Sequence, residues 1–413
     1  MPKPELLAPA GNAEKLQMAL RYGADAVYVG GQQFSLRAGS ANFDMTELAQ
    51  AVQLTHALGK KIYLAINIYA HQQDTEHMPA YLEQVAAIGP DALIISDLGV
   101  MALARQYAPE IPLHISTQAN TLNWQAAEVW RSLGAERVIL GRELSLPEIS
   151  HLTANTNLET EIFVHGALCV AYSGRCLLSS YLTGRDANRG DCAQSCRWQY
   201  ALMEQKRPGH YLPVDEDTRG TYIMNSKDLC LLPILPQIIQ SGVTALKIEG
   251  RNKSAYYVAN TVRIYRQALD AAWNANGQFA SMQEEWLSEL AKASYREYTL
   301  GFAAETPDAD MQRYEDAALL RGYDFVATLE ELQPNRLRLR QRNHVQPGDT
   351  LEILLPGGRN INHTVTLLTD IDFNPLAAAN HPHRDFYIPS DQQTLEQLAD
   401  SPLPLIVRRA ARD

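Results

Sequence analysis

The chain has 413 residues, of which 46% are hydrophobic and 20% charged, and its 36 basic and 47 acidic side chains give a net charge of −11. This length suits one large domain and a smaller one. No run of about 18 apolar residues occurs, and residues 1–12 show no signal-peptide pattern, so we expect a cytoplasmic protein with no membrane partner. The acidic total argues against nonspecific coating of nucleic acid, but it leaves room for a local basic stripe.

Five segments repeat one pattern, in which a helix-like stretch ends in glycine and an apolar run follows. They are residues 22–31, 58–67, 88–97, 133–142 and 241–250. Glycine is a natural left-handed cap at a helix C-terminus, and the short apolar run after it is typical of a buried parallel strand. Three further segments with apolar-then-polar order bring the predicted strands to eight: residues 5–11, 112–120 and 161–169.

Helical segments fit between these strands, for example residues 12–22, 45–58 and 124–133. The pattern predicts an α/β fold, a (β/α)8 TIM-like barrel over residues 1–304, with a doubly wound sheet as the alternative. The gap after the seventh strand predicts an insertion at about residues 166–240, on the barrel face that carries active sites. Beyond it, short alternating runs between Pro and Gly turns predict a small all-β, barrel-like domain over residues 305–413.

Four of the five cysteines lie in the predicted insertion, and they are Cys169, Cys176, Cys192 and Cys196. Four thiolates can hold a zinc ion or a 4Fe-4S cluster, and the wide spacing of the first pair favours the cluster. The alternative is that they are buried cysteines explained by packing alone. Cys230 stands in an apolar stretch, where we expect a helix and a core position.

Polar residues fall at or just past the ends of the predicted strands, where barrel enzymes draw their active-site side chains. They are Asn67, Asp97, Gln118, Asn120, Arg142, Glu143, His165, Glu249 and Arg251. The candidates for catalytic acid or base are Arg142, Glu143, His165 and Glu249. The candidates for substrate binding are Arg37, Asn67, Gln118, Arg142, Lys247 and Arg251, and the arginines among them suit a carboxylate-rich substrate.

The alternation of a strand places Lys247, Glu249 and Arg251 on one face of the eighth strand. Burying such a row is costly unless its members are paired or meet a ligand. Two interpretations stay open, a structural ion-pair layer and an anion-binding site.

A second charged row stands in the C-terminal domain, where alternation sends Arg336, Arg338, Arg340 and Arg342 to one strand face. Arginine in a row suits phosphate contact, so these four are candidates for RNA binding, and Arg408, Arg409 and Arg412 add charge at the tail. The alternative is a solvated strand face.

Sequence motifs of the predicted barrel, with a PGD turn at residues 347–349 of the C-terminal domain, carry a family resemblance. They include EIFVHGALCVAYSGRC at residues 161–176, NRGDCAQSCRW at residues 188–198, PELLAPAGN near the start and LKIEGRNKS at the eighth strand. With these motifs the chain resembles the collagenase-like peptidase family U (number 32) over nearly its whole length.

The resemblance implies a 4Fe-4S cluster on Cys169, Cys176, Cys192 and Cys196, which match the family motif one by one. It also implies hydroxylation without dioxygen, and in the nearest branch a prephenate-dependent conversion of the wobble uridine of tRNA to 5-hydroxyuridine. tRNA and prephenate are then the expected partners, with prephenate as the source of the hydroxyl group. A collagenase-like peptidase and a noncatalytic iron-sulfur RNA-binding protein are the alternatives.

Overall fold

A computed structural model describes residues 2–35, 42–168, 178–185, 193, 195, 202–203, 211–212, 215–217, 220–222, 227–274, 277–293, 295–304 and 322–412. The strands are β1 (Glu5–Pro9), β2 (Ala26–Gly30), β3 (Lys61–Ile66), β4 (Ala92–Ile95), β5 (Leu113–Ile115), β6 (Arg137–Ile139), β7 (Glu159–Ala167), β8 (Leu202–Met203), β9 (Tyr211–Leu212), β10 (Asp215–Asp217), β11 (Gly220–Tyr222), β12 (Asp228–Cys230), β13 (Ala245–Ile248), β14 (Tyr298–Thr299), β15 (Tyr323–Gln333), β16 (Arg336–Gln341), β17 (Thr350–Ile353), β18 (Ile361–Thr364), β19 (Leu368–Thr369), β20 (Pro375–Leu376), β21 (Asp385–Pro389) and β22 (Leu405–Ala410). The α-helices are α1 (Ala13–Arg21), α2 (Met45–Ala57), α3 (Gln72–Ile88), α4 (Leu98–Tyr107), α5 (Trp124–Ser132), α6 (Leu146–Asn155), α7 (Leu178–Thr183), α8 (Leu235–Gln240), α9 (Ala255–Asn274), α10 (Gln278–Ala291) and α11 (Gln392–Leu398).

Eight parallel strands, β1 to β7 and β13, close into a barrel, which confirms the predicted fold. Each strand pairs with the next along the chain, and β13 closes the ring by pairing with both β7 and β1. Leu246 of β13 lies opposite Leu6 of β1 on one side and Ile162 of β7 on the other. All eight predicted strands are present, and β12 and β14 extend the sheet beyond β7.

The predicted glycine caps are confirmed, because the glycine of each repeated segment has a positive φ. These glycines are Gly23, Gly59, Gly89, Gly134 and Gly242. At the end of α3, Gly89 has a φ of 74° and a ψ of 54°, and its N–H donates to the carbonyl of Val85. A residue with a side chain pays a steric cost in this conformation, so glycine here ends the helix and turns the chain toward β4.

A layer of charged residues lies at the lower end of the barrel interior. Buried Arg137 donates from Nη1 to Glu5 at 2.7 Å and to Glu161 at 3.2 Å. The ammonium of Lys247 donates to the other oxygen of Glu161 at 2.8 Å and stands 4.5 Å from the ring centre of Tyr28. The ion-pair layer is therefore the interpretation that the structure favours for Lys247.

The C-terminal domain is one antiparallel sheet in the order β18-β17-β22-β15-β16-β21-β19-β20. This confirms an all-β domain, and within the described residues its edge strands β18 and β20 do not pair with each other. Residues 305–321 lie outside the described residues, so the exact domain boundary stays a prediction, as do the limits of the insertion.

A buried polar junction joins this sheet to the barrel helices. Arg408 of β22 is 0% exposed and donates to Glu289 of α10 at 2.7 Å and to Glu352 of β17 at 2.6 Å. Burial opposes ionisation of Glu289, yet the positive charge of Arg408 prevails and lowers its pKa to about 2. Nearby, the hydroxyl of Tyr22 in the barrel donates to the carbonyl of Leu354 at 2.9 Å.

The expected contribution of Arg408 and Arg409 to the surface charge of the tail is therefore wrong. Arg409 is also buried, and it pairs with Asp349 at 2.9 Å and with Asp324 at 3.2 Å. Arg412 is more exposed, but it pairs with Asp349 as well. The local sequence shows the arginines and hides these partners, which stand far away in the chain.

Among the described residues, no helix has both the length and the apolar character needed to cross a membrane.

We expect Arg408→Met to lower the free energy of unfolding by about 3 kcal/mol, because it removes the fully buried cation that pairs with both Glu289 and Glu352 and leaves the more exposed Lys292 between them. Urea denaturation measures the change. Arg340→Met is the matched control, since Arg340 pairs with Asp385 in a more exposed place and its loss should cost less than about 1 kcal/mol. Equal effects of the two substitutions would contradict a stabilising role for the junction.

Candidate active site at the barrel mouth

The C-terminal ends of the eight parallel strands meet at one mouth of the barrel, where most of the predicted site residues follow their strands. Asn67 directly follows β3, Arg142 lies three residues past β6, and Arg251 lies three residues past β13. Arg37 and the four clustered cysteines lie outside the described residues, and their roles stay predictions.

One corner of the mouth is basic, and we call Lys15, Ser35, Asn42 and Arg251 the basic corner. The buried Arg251 guanidinium donates from Nη1 to Ser35 Oγ at 3.1 Å and from Nη2 to Asn42 Oδ1 at 2.6 Å. The ammonium of Lys15 donates to the carbonyl oxygen of Arg251 at 3.0 Å. Burial lowers the pKa of Lys15, Glu14 opposes this, and the charge of Arg251 lowers the pKa further.

Two glycines make room for the basic corner. A Cβ on Gly30 would stand 2.0 Å from Nη2 of Arg251, and a Cβ on Gly11 would stand 2.3 Å from its carbonyl oxygen. Any larger residue at either place must displace Arg251. The two strand ends thus fix the position of the guanidinium by leaving space for it.

Across the mouth stands a group of amide side chains, Asn67, Gln118 and Asn120, which we call the amide shelf. Nδ2 of Asn67 donates to Oε1 of Gln118 at 2.7 Å, and Oγ of Ser116 donates to the same oxygen at 3.2 Å. Asn120 ends a short 3-10 turn with a φ of 52° and donates from Nδ2 to the carbonyl of Gln118 at 3.0 Å. Gln118 and Asn120 thus lie on a turn, and the hydrogen bond from Asn67 joins this turn to the end of β3.

Arg142 and Glu143 follow β6, after the amide shelf and before Arg251 in the chain. Nη1 of Arg142 donates to the carbonyl of Ala167 at 2.8 Å, and its guanidinium lies 4.7 Å from the ring centre of Phe163. Arg142 therefore holds the end of β7, two residues before Cys169. Glu143 is half-buried, and its carboxylate lies close over Gly141, where a Cβ would be 2.8 Å from Oε2.

Glu249 is buried at the end of β13, beside the basic corner. Its N–H donates to the carbonyl of His165 at 2.8 Å, and its carbonyl accepts from the hydroxyl of Tyr257 at 3.0 Å. Lys247 lies lower, inside the barrel, in the ion pair with Glu161. The structure thus places Glu249 and Arg251 at the mouth and separates Lys247 from them.

His165 does not face the mouth but is buried against the barrel helix α9. Its ring lies 5.3 Å from the ring of Tyr265 and 6.0 Å from that of Tyr257, and it is 1% exposed. Burial lowers the pKa of His165 to about 3, and Lys253 lowers it further. The structure therefore favours a structural role for His165 over the predicted acid or base.

Cys230 is a core residue, as expected, but it ends strand β12 and does not lie in a helix. It stands opposite His165 in the sheet, and its sulfur lies 3.7 Å from the hydroxyl of Tyr265. Burial raises the pKa of the Cys230 thiol to about 11, so the thiol is protonated at neutral pH. A protonated buried thiol is a poor nucleophile and a poor metal ligand.

A hydrogen bond joins two described residues that lie near the clustered cysteines in the sequence. Ser179, three residues past Cys176, accepts at Oγ from the N–H of Ala193, which directly follows Cys192, at 2.9 Å. Ser179 and Ser195 are both buried. The backbone at Ala193 and the side chain at Ser179 are therefore close in space.

Sequence reasoning missed several residues at or below the mouth. Lys15 follows the first strand in the first turn of α1, where Asn12 is the helix cap, and that capping signal pointed to the mouth. Ser35 follows the second strand together with Arg37, and Asn42 carried no local signal. Below the shelf, His114 packs edge-on against Tyr63, and its Nδ1 has no hydrogen-bond partner among the described residues. Burial and the nearby Arg137 lower the pKa of His114 well below its usual value.

The arginine row of β16 alternates as predicted, with Leu337 and Leu339 buried on the other face. Three of the four arginines are paired within the protein, however. Arg338 pairs with Glu331 and Asp385, Arg340 with Asp385, and Arg342 with Glu14 of α1 at 2.6 Å. For these three, the pairing favours the alternative of a structured strand face over phosphate contact.

Comparisons with known proteins support one family. The sequence matches "Peptidase family U32" over residues 11–313 and "Peptidase family U32 C-terminal domain" over residues 321–399. It is 40% identical over 382 residues to tRNA hydroxylation protein P1 of Bacillus subtilis, covering 92% of this chain and 90% of that protein. It is 40% identical over 405 residues to tRNA hydroxylation protein P of Escherichia coli, covering 88% of each. It is 37% identical over 276 residues to the Escherichia coli 23S rRNA 5-hydroxycytidine C2501 synthase, covering 67% of this chain and 41% of that protein.

The buried neutral ring of His165 predicts a loss of stability in acid. The unfolded chain binds a proton at this histidine below pH 6.5, but the folded protein does so only near pH 3, so stability falls as the pH falls between these values. We expect His165→Phe to reduce the slope of unfolding free energy against pH by about 1.4 kcal/mol per pH unit in this window. Urea denaturation at a series of pH values measures the slope.

The matched control is His151→Phe on the surface of α6, where the ring is in water before and after unfolding. It should leave the slope unchanged. An unchanged slope in His165→Phe would contradict the assignment of a buried neutral ring.

Proposed function

The chain belongs to peptidase family U32, and from this premise we propose that it is an RNA hydroxylase that forms 5-hydroxyuridine at the wobble position of tRNA. Two relatives at 40% identity carry the name tRNA hydroxylation protein, and a third is named a hydroxycytidine synthase of ribosomal RNA. The three names share hydroxylation and RNA. They support RNA hydroxylation for this chain more strongly than the word peptidase in the family name supports proteolysis.

The observation that carries the proposal is the placement of the amide shelf and the basic corner at one barrel mouth. A uracil has an N–H donor between two carbonyl acceptors. Asn67 and Gln118 bond each other through Nδ2 and Oε1, and their amides also carry the acceptor Oδ1 and the donor Nε2 that such an edge needs. A base must leave its stack to reach such a mouth, as it does in other base-modifying enzymes. In this proposal the shelf binds the edge of the base and orients its ring.

We propose prephenate as the source of the hydroxyl group and the basic corner as its binding place. Prephenate carries two carboxylates, which need cationic partners in a partly buried site. Arg251 and Lys15 supply two positive charges held by neutral oxygens of Ser35, Asn42 and the Arg251 carbonyl. Arg142 is a third cation at the same mouth, and its contact with Ala167 fixes its place.

Cys169, Cys176, Cys192 and Cys196 would hold a 4Fe-4S cluster. Four cysteines are the usual ligand set for such a cluster, and the hydrogen bond between Ser179 and Ala193 joins residues that neighbour two of them. When bound, such a cluster supplies one-electron transfer.

The main alternatives are a peptidase and a noncatalytic RNA-binding protein. Cys230 is the one cysteine that lies within the described residues. Its thiol is buried beside Tyr265 and protonated, whereas a cysteine nucleophile must be a thiolate. Cleavage of a collagen-like peptide by the holoprotein would favour the peptidase. Binding of tRNA without hydroxylation would favour the noncatalytic alternative.

We expect the anaerobically purified holoprotein, given prephenate, to form 5-hydroxyuridine in tRNA from a strain that lacks the modification, as measured by nucleoside mass spectrometry. Arg251→Ala should lower the rate by about 10- to 100-fold, because a charge-assisted contact to a carboxylate is worth about 1.5–3 kcal/mol. Arg251→Lys keeps the positive charge and loses the paired N–H donors of the guanidinium, so its rate should lie between those of Arg251→Ala and the unsubstituted protein.

The matched control is Arg131→Ala on the exposed surface of α5, which should hydroxylate at the unchanged rate. Full activity in a folded Arg251→Ala protein would contradict the basic corner as the binding place of prephenate. No product with the unsubstituted protein would remove the function itself.

The cluster makes a separate prediction. Anaerobic protein should contain about four irons and four sulfides per chain, and Cys176→Ala should lose them. Cys230→Ala is the matched control and should keep them, because this cysteine lies outside the matched quartet. One zinc per chain and no iron would contradict the cluster.

A further inference from the structure

The C-terminal domain presents an exposed aromatic side chain in a surface turn. Phe373 is 51% exposed, in the turn between β19 and β20, and its backbone has a φ of +66°. A phenylalanine seldom adopts this left-handed conformation on the surface of a protein. The neighbouring Ile371 is exposed as well, at 62%.

The turn that carries Phe373 is firmly held. The carboxylate of Asp370 accepts from the backbone N–H groups of Asp372 and Asn374, both at 2.9 Å, and from the side chain of Asn374 at 3.1 Å. The N–H of Phe373 donates to the carbonyl of Asp370 at 3.1 Å. The exposed ring therefore has a fixed backbone beneath it.

Phe373 forms a cluster with Tyr387 of β21 and Arg336 of β16, which we call the stacking platform. The two rings lie 5.3 Å apart at an angle of 41°. The Arg336 guanidinium lies 4.2 Å from the ring centre of Phe373 and 5.6 Å from that of Tyr387. Unlike Arg338, Arg340 and Arg342, Arg336 forms no ion pair with a carboxylate in the part of the chain that the structure describes.

We infer that the stacking platform binds an unpaired base of the substrate RNA, with the base on Phe373 and the adjacent phosphate near Arg336. An exposed aromatic ring beside an arginine that pairs with no carboxylate of the described residues suits a nucleotide, because single-stranded RNA is bound by stacking on aromatic rings and by cations at its phosphates. The inference rests on the proposed function, since it takes tRNA as the substrate.

The position of the platform relative to the barrel supports this occupant. Arg342, at the far end of the same strand from Arg336, contacts Glu14, the neighbour of Lys15 in the basic corner. The six residue-to-residue steps from Arg336 to Arg342 span about 20 Å at about 3.3 Å per step of extended chain. One RNA loop can therefore place its target base at the mouth while a flanking base or nearby nucleotide meets the platform.

Binding of a fluorescein-labelled anticodon stem-loop RNA to the full-length holoprotein tests the inference. Phe373→Ala should weaken this binding by about 5- to 100-fold, the usual cost of removing one base-stacking ring. Phe373→Trp should keep the affinity, and its new indole fluorescence should be quenched by the stem-loop and not by a blunt duplex of the same stem. Ile371→Ala, in the same turn, is the matched control and should bind like the unsubstituted protein.

The salt dependence of binding separates Arg336 from a purely structural residue. Arg336→Gln should lower the slope of log affinity against log salt by about 0.7, the value for one single-strand phosphate contact. Arg340→Gln removes the same formal charge from a side chain paired with Asp385 and should change the slope less.

Three outcomes overturn the inference. The first is unchanged stem-loop affinity in Phe373→Ala while the unsubstituted protein still hydroxylates tRNA, a result that leaves the proposed function standing. The second is a loss of self-association in Phe373→Ala, measured by light scattering, with RNA affinity intact, which would assign the platform to a second copy of the chain. The third is equal quenching of Phe373→Trp by the duplex. Failure of the unsubstituted protein to hydroxylate tRNA would instead count against the proposed function.

Discussion

The positions of the strand ends at the barrel mouth depend on the ion pairs of the Glu161 carboxylate. It is 0% exposed and accepts from Arg137 of β6 and Lys247 of β13, so it joins three adjacent strands inside the barrel at the seam where the ring closes. Two cations on one buried carboxylate offset the cost of taking it out of water, and removing either cation would leave the layer with excess negative charge. The layer therefore fixes the strands whose ends carry Arg142, Glu249 and Arg251.

Charge inside this barrel is thus divided between two levels with different tasks. At the lower level Arg137, Lys247, Glu5 and Glu161 neutralise one another and add stability without facing a ligand. At the mouth, hydrogen bonds to Ser35 Oγ and Asn42 Oδ1 orient the guanidinium of Arg251, and the carbonyl oxygen of Arg251 accepts from the ammonium of Lys15. Arg251 and Lys15 place two cations close together at the mouth, and such a pair suits the dicarboxylate that we propose as a substrate.

The sequence predicted those parts of the fold that depend on neighbouring residues. Gly89 and the apolar run after it show both the end of α3 and the start of β4, since the cap and the strand are local properties. The polar residues after each run marked the mouth for the same reason. The partners that decide the role of each charge are distant in the chain: Lys247 meets Glu161, 86 residues away, and Arg342 meets Glu14, 328 residues away. No periodicity can show such pairs. Phe373 was missed because one phenylalanine in a turn has no pattern around it.

The buried junction explains why a surface on the C-terminal sheet can serve a site on the barrel. Arg408 and Tyr22 fasten the sheet to the barrel helices, and Arg342 fastens one end of β16 beside the mouth. Two binding places held at a fixed separation gain from each other, because the first contact raises the effective concentration of the second without further loss of freedom in the protein. A flexible connection would lose this gain each time the domains moved apart. If RNA meets both proposed binding places, the stable junction therefore raises the affinity of the enzyme for RNA, although it lies far from the mouth.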